Sequence, residues 1–115
     1  MRTNILIALG IIAALAAAYL LHNVFPVDSP MDEYLTEVER AILAEEWSKA
    51  AEAIEKIDRE WKRSRLLISI NNSRSDLQEF IRTLAVLQAY VEVQDRAGAY
   101  AEAAHLRERW WRFAE

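Results

Sequence analysis

Residues Ile5 to Leu21 read ILIALGIIAALAAAYLL, an apolar run without a single charge. The charge-free window is wider, from Thr3 to Val27, and His22 is the only side chain in it that titrates near neutral pH. A helix rises about 1.5 Å per residue, so roughly 20 residues cross a hydrocarbon core of about 30 Å. Ile5 to Phe25 meets that length. In lipid a lone segment satisfies its backbone hydrogen bonds only as a helix. Pro26 stops that helix where headgroups begin. Tyr19, His22 and Phe25, apolar bodies with polar or aromatic tips, suit the interface. The run therefore predicts a transmembrane anchor over 1–25, with Ile5, Leu9, Ile12, Leu15 and Leu20 among its apolar residues.

Three other readings compete with the anchor. A buried core helix normally keeps one polar face, and this run has none. A cleaved signal peptide has some support in Arg2, the apolar run and the small residues Ala14–Leu15–Ala16 or Ala16–Ala17–Ala18. Tyr19, Leu20, Leu21, Val24 and Phe25 continue past any such site, so cleavage leaves an apolar new terminus. A helix–helix contact is permitted by the small-xxx-small pairs Gly10/Ala14, Ala13/Ala17 and Ala14/Ala18. Flanking charge sets the orientation. Arg2 and the α-amino group precede the run, and the next basic residue is Arg40. Basic residues stay inside, so the N-terminus is expected in the cytoplasm and the rest of the chain outside.

The remainder is rich in helix formers and contains few breakers: the whole chain has only two Gly and two Pro. An all-α domain follows, long enough for one modest core. The formal charge of −4 argues against a general nucleic-acid binder. With no cysteine, disulfides and thiolate zinc sites are excluded. From Asp28 to Glu60 acids outnumber bases; from Trp61 to Arg82 the balance reverses, with Lys62, Arg63, Arg65, Arg74 and Arg82 against Asp76 and Glu79. Complementary packed helices explain this, and a basic docking patch on Lys62, Arg63 and Arg65 beside Trp61 is the sharper reading.

Apolar spacing predicts an antiparallel four-helix bundle over 30–115, after a linker at 26–29. Ser29 and Pro30 signal the first helix start, to about 44, with Met31, Leu35, Val38 and Ile42 as its stripe. Ser48 offers a cap for a long second helix to about Ile70, striped by Trp47, Ala50, Ile54, Ile57, Trp61 and Ile68 and widened by Leu66, Leu67 and Ile70. Ser73 with Asp76, or Ser75 with Gln78, opens a third helix to about Arg96, striped by Leu77, Phe80, Leu84, Leu87 and Val91. Gly98 is the expected reversal before a fourth helix over 99–114, carrying Ala103, Leu106, Trp110 and Phe113. The joints AEEWSKAAEAI (Ala44 to Ile54) and RAGAYAEAAHL (Arg96 to Leu106) look alike at an offset of 52 or 53 residues. They suggest two helical hairpins with turns like those of tetratricopeptide repeats, without that repeat's 34-residue period.

With its N-terminal apolar run, the start Trp47–Ser48–Lys49–Ala50 and the second tryptophan Trp61, the chain resembles a family of short bacterial proteins known only as a domain of unknown function. The resemblance implies a single-pass membrane protein with a helical extracytoplasmic domain, often encoded beside multi-pass membrane proteins. It brings no site residues.

Chemistry is sparse. His105 has only Glu102 and Glu108 nearby on its helix, which any Glu-rich helix offers, and Glu45–Glu46 lacks a calcium loop. There is no Gly-rich phosphate loop, GxSxG or HExxH. No enzyme, cofactor or metal is expected. The C-terminal RERWWRFAE places Trp110, Trp111 and Phe113 among arginines. Trp110 and Phe113 suit core closure. All three also suit a membrane interface, since a fourth antiparallel helix ends back beside the bilayer. The expected role is a membrane-anchored accessory or scaffold protein that meets the lipid bilayer and either a membrane-protein partner or a second copy. The anchor's Gly10 and Ala14 and the Trp61–Arg65 face are its surfaces. The alternative is a ligand-binding sensory bundle with a cavity lined by Trp47, Trp61, Phe80 or Trp110.

Overall fold

The computed structural model describes the backbone of residues 2–24 and 29–113, and side chains over 4–19 and 29–113. It is all-α. Five helices, α1 (Arg2–Val24), α2 (Met31–Leu43), α3 (Trp47–Asn71), α4 (Arg74–Glu92) and α5 (Arg96–Phe113), follow one another without a strand among the described residues. In the bundle α2 packs on α3 and α5, and α4 packs on the same two, closing a ring of four helices. Each joint is two or three residues long, which forces neighbours to run antiparallel.

Every described side chain of α1, from Asn4 to Tyr19, is exposed. Among the described residues no helix is long and apolar enough to cross a membrane. The side chains described in α1 span about 24 Å at 1.5 Å per residue, short of a bilayer core. The side chains of Leu20 and His22, and residues 25–28 with the expected stop at Pro26, lie outside the described residues.

The two distal joints are built alike. At the end of α2, the Glu46 N–H donates to the Ala41 carbonyl (2.8 Å) and the Glu45 N–H to that of Ile42 (3.0 Å). At the end of α4, the Asp95 N–H donates to Tyr90 (2.9 Å) and the Gln94 N–H to Val91 (3.1 Å). Both are Schellman caps, with Glu45 and Gln94 each left-handed at φ 57°. The reversal thus falls on Gln94 and not on Gly98, which lies inside the first turn of α5 and donates its N–H to the Asp95 carboxylate at 3.0 Å. A β-carbon in the left-handed region costs about 1–2 kcal/mol. Gln94→Gly and Glu45→Gly should therefore each raise stability by about 0.5–1 kcal/mol, read as a higher midpoint in thermal unfolding.

The turns at Glu45 and Gln94 set a 49-residue offset that the core obeys. Met31, Leu35, Val38 and Ile42 of α2 correspond to Phe80, Leu84, Leu87 and Val91 of α4, all buried. Ala50, Ile54, Ile57 and Trp61 of α3 correspond to Ala99, Ala103, Leu106 and Trp110 of α5, again all buried. The bundle is two copies of one helical hairpin, in a register that aligning the aromatic residues at 52 or 53 misses.

Capping follows the expected chemistry in part. Ser73 is extended and its hydroxyl accepts from the Asp76 N–H at 3.2 Å, which selects Ser73 over Ser75 as the cap of α4. Ser48 caps nothing: α3 begins at Trp47, after Glu46, without a side-chain cap. The Ser29 hydroxyl accepts from the Met31 N–H (3.2 Å) and donates to Glu60 across the bundle.

Gly98 is required by packing. A β-carbon built there meets the Tyr90 ring at 2.5 Å. A helical Gly→Ala change normally gains about 1 kcal/mol. Gly98→Ala should instead cost about 1–3 kcal/mol, since the α4–α5 approach must open. The paired variant Gly98→Ala/Tyr90→Ala should lose less than the two single costs added together, a coupling that a double-mutant cycle of denaturant midpoints will report.

Candidate functional site

The start of α2 is fastened to the middle of α3 by one buried carboxylate. Glu60 accepts from the hydroxyls of Ser29 (2.8 Å) and Ser64 (3.1 Å) and from the Arg63 guanidinium (2.8 and 3.0 Å to its two oxygens). Its side chain is 7% exposed. A carboxylate in that position needs such partners, because an unpaired buried charge is costly. Nothing in the residue types marks Glu60. The available signal was its spacing, three after Ile57 and beside Trp61, which puts it on the inward face.

Above this node the aromatic residues close the core. Trp61 stacks on Phe80 with centroids 4.4 Å apart, Phe113 lies 5.8 Å from Trp61 and 5.7 Å from Phe80, and Trp110 lies 6.0 Å from both Phe80 and Phe113. Trp61 is only 4% exposed, so it cannot present itself to a partner as the Trp61–Arg65 face requires. The rest of that face is exposed: Lys62 pairs with Asp58 at 2.9 Å, Arg63 with Glu60, and Arg65 has no ion-pair partner among the described residues. Trp110 and Phe113 are core residues, 2% and 3% exposed. Trp111 alone of the C-terminal trio is open, with its Nε1–H donating to Asp32 at 2.9 Å and the Arg107 guanidinium 5.8 Å from its ring. Arg107 also reaches α2, donating to Glu39 (2.8 Å) and Thr36 (3.0 Å), so α5 is tied along its length to the first helix of the bundle. These bonds set Trp111 level with the beginning of α2, at the end of the bundle where the chain arrives from α1.

The grooves described on the surface are open ones. A groove of about 450 Å³ between α2 and α3 is lined by Glu37, Arg40, Glu46, Lys49, Glu52 and Lys56 with three alanines, and its charges largely satisfy one another: Lys49 with Glu46 at 2.7 Å, Lys56 with Glu37 at 3.2 Å. The hydrogen bond from Lys49 to Glu46 and the carboxylate's charge raise the lysine's pKa above its ordinary value. None of these grooves is lined by Trp47, Trp61, Phe80 or Trp110, whose cavity the sensory reading requires. Among the described residues no three His, Asp or Glu are placed to share a metal ion. His105 has one carboxylate near it, Glu102 at 3.7 Å.

Leu66 and Ile70 depart from expectation most. The sequence pattern has both widening the core stripe of α3, yet they are 76% and 69% exposed. The first cause is the face they occupy: Leu66 is seven residues after exposed Arg59 and half a turn round the helix from buried Ile57, and Ile70 follows it on the same outer side. With Ser29 bonded to Glu60, α2 begins level with Glu60, so that helix does not reach them either.

No curated protein and no solved structure matches the chain. A family model, described as a domain of unknown function and designated DUF4363, matches residues 18–111, nearly all of the bundle and the end of α1. With that match extending from Ala18 through Trp111, the chain belongs to the DUF4363 family.

Proposed function

We propose that this chain is a single-pass membrane protein with a cytoplasmic N-terminus. Its bundle stands on the extracytoplasmic face as a non-enzymatic accessory or scaffold that docks on another membrane protein or on a second copy of itself. The observation that carries the reading is α1: its side chains from Ile5 to Tyr19 are exposed, and none of them is covered by the bundle. Leaving such surface in water forgoes roughly 25 cal/mol for each Å² of apolar area. Lipid removes that cost, and the apolar sequence continues to Phe25, far enough to span. Gly10 and Ala14 let a second helix approach closely. The interlocked aromatic core supports a docking role over a ligand-sensing one.

The test is a photo-crosslinking residue placed in turn at Gly10, Ala14, Lys62 and Arg65, in membranes that carry two differently tagged copies of the full chain. The expected result is a discrete adduct from at least one position that survives an alkaline wash of the membranes. An adduct holding both tags identifies self-association, and one of another mass identifies a separate partner. Absence of any adduct from all four positions overturns docking.

A further inference from the structure

Beyond Glu60, α3 runs on for eleven residues to Asn71, about 16 Å of helix that α2 does not cover. The direction of this overhang is fixed. α2 runs away from the end at which α1 delivers the chain, and α3 runs back toward it. The tether is short. From Val24 to Ser29 is five residue steps, at most about 17 Å fully extended. Overhang and tether are nearly equal, so a bundle hanging from a membrane-embedded α1 brings the α3–α4 tip down to the level of the headgroups.

The tip is composed for that level. On α3, Arg63, Leu66 and Ile70 fall on one face at helical spacing, and Leu66 and Ile70 are open to solvent. From Trp61 to Ser75 there are four bases and no acid, in a chain whose formal charge is −4. Arg65 and Arg74 have no ion-pair partner among the described residues. The two turns at the opposite end carry Glu45, Glu46, Glu92 and Asp95, with Lys49 paired to Glu46 and Arg96 bonded to the Leu43 carbonyl. The acid-free basic stretch is therefore a feature of the overhang, which points toward the bilayer.

We propose that the α3–α4 tip is a lipid-contact foot: Leu66 and Ile70 enter the headgroup layer of the bilayer that holds α1, and Arg65 and Arg74 bind its phosphates. This rests on the membrane reading of α1. Apolar side chains flanked by guanidiniums are the composition that partitions to an anionic interface. The foot fixes the height and tilt of the bundle, and with them which faces a neighbouring membrane protein meets.

The natural chain has no cysteine, so single labels can be placed without background. The full chain is reconstituted in phosphatidylcholine–phosphatidylglycerol vesicles with a fluorophore at Ile70→Cys, Val93→Cys or Ala13→Cys, and quenched by nitroxide lipids. Val93 is the matched control, an apolar residue of similar exposure (73%) at the far end of the bundle. The expected result is deep quenching at 13, interfacial quenching at 70 and almost none at 93, with at least about a two-fold difference between the last two. Arg65→Glu with Arg74→Glu should bring the label at 70 down to the level of that at 93. Position 70 behaving like 93 while 13 is quenched overturns the foot and leaves the anchor standing. An unquenched label at 13 overturns both. A label at 70 shielded from water yet untouched by lipid quenchers means a protein covers the tip, and also overturns the foot.

Discussion

Phe80→Ala should cost about 3–5 kcal/mol, a large share of the roughly 5–10 kcal/mol expected for a bundle of this size. Phe80 is fully buried and touches three other rings, so the truncation opens a cavity walled by Trp61 of α3 and by Trp110 and Phe113 of α5. Rigid walls collapse poorly, which puts the cost at the upper end of the range. For a domain this small the thermal midpoint should fall by roughly 15–30 °C, followed by near-ultraviolet circular dichroism of the stacked tryptophans. Phe80→Leu keeps most of the volume and should cost well under half as much. A drop of only a few degrees for the alanine variant would show that the four rings do not act as one packed unit.

The second large effect is expected in α1. Arginine near the centre of a membrane helix costs about 2.5–3.5 kcal/mol, and the leucine or isoleucine it replaces forfeits a further 0.5 kcal/mol or so. Ile12→Arg with Leu15→Arg should therefore remove about 6–8 kcal/mol of insertion free energy, comparable to all that a helix of this length supplies. The variant should leave the membrane pellet and appear in the aqueous fraction after an alkaline wash. Its bundle should stay folded, because among the described residues no element of the bundle packs to any extent on α1. Retention of the variant in the pellet, as for the parent chain, would sink the anchor reading. A single exposed substitution in the bundle, such as Glu55→Lys, should leave the partition unchanged.

The helix order and most of the core were legible in the sequence because burial repeats at helical spacing. Leu35, Val38 and Ile42, or Leu84, Leu87 and Val91, can be picked out before any fold is known, and all are buried. Turns were harder. Gly98 carries the conventional signal for a helix end, yet Gln94 makes the reversal. Schellman geometry needs one left-handed residue and accepts a long polar side chain at modest cost, so composition does not locate it. Gly98 is constrained by the Tyr90 ring, a tertiary fact that no local pattern contains. Leu66 and Ile70 are apolar neighbours of the α3 stripe, but Leu66 lies about half a turn round the helix from Ile57 and Ile68, on the outer face that also carries exposed Arg59. Trp61 illustrates the converse: a tryptophan beside three basic residues resembles a docking patch, but only the lysine and arginines point outward. Glu60 was missed because a glutamate reads as solvent-facing until Ser29 is found against it.

The 49-residue correspondence between the halves carries a hazard. Each half offers the other an equivalent packing surface, and they are joined by Asn72 and Ser73, both already in extended conformation. If that joint straightens, α4 and α5 of one molecule can lie against α2 and α3 of its neighbour, forming an intertwined pair whose contacts are all native ones. If α1 holds two chains in one plane of lipid, their high local density favours such an exchange, and a joint of only two residues invites it where a longer one would let each half fold back on its own partner.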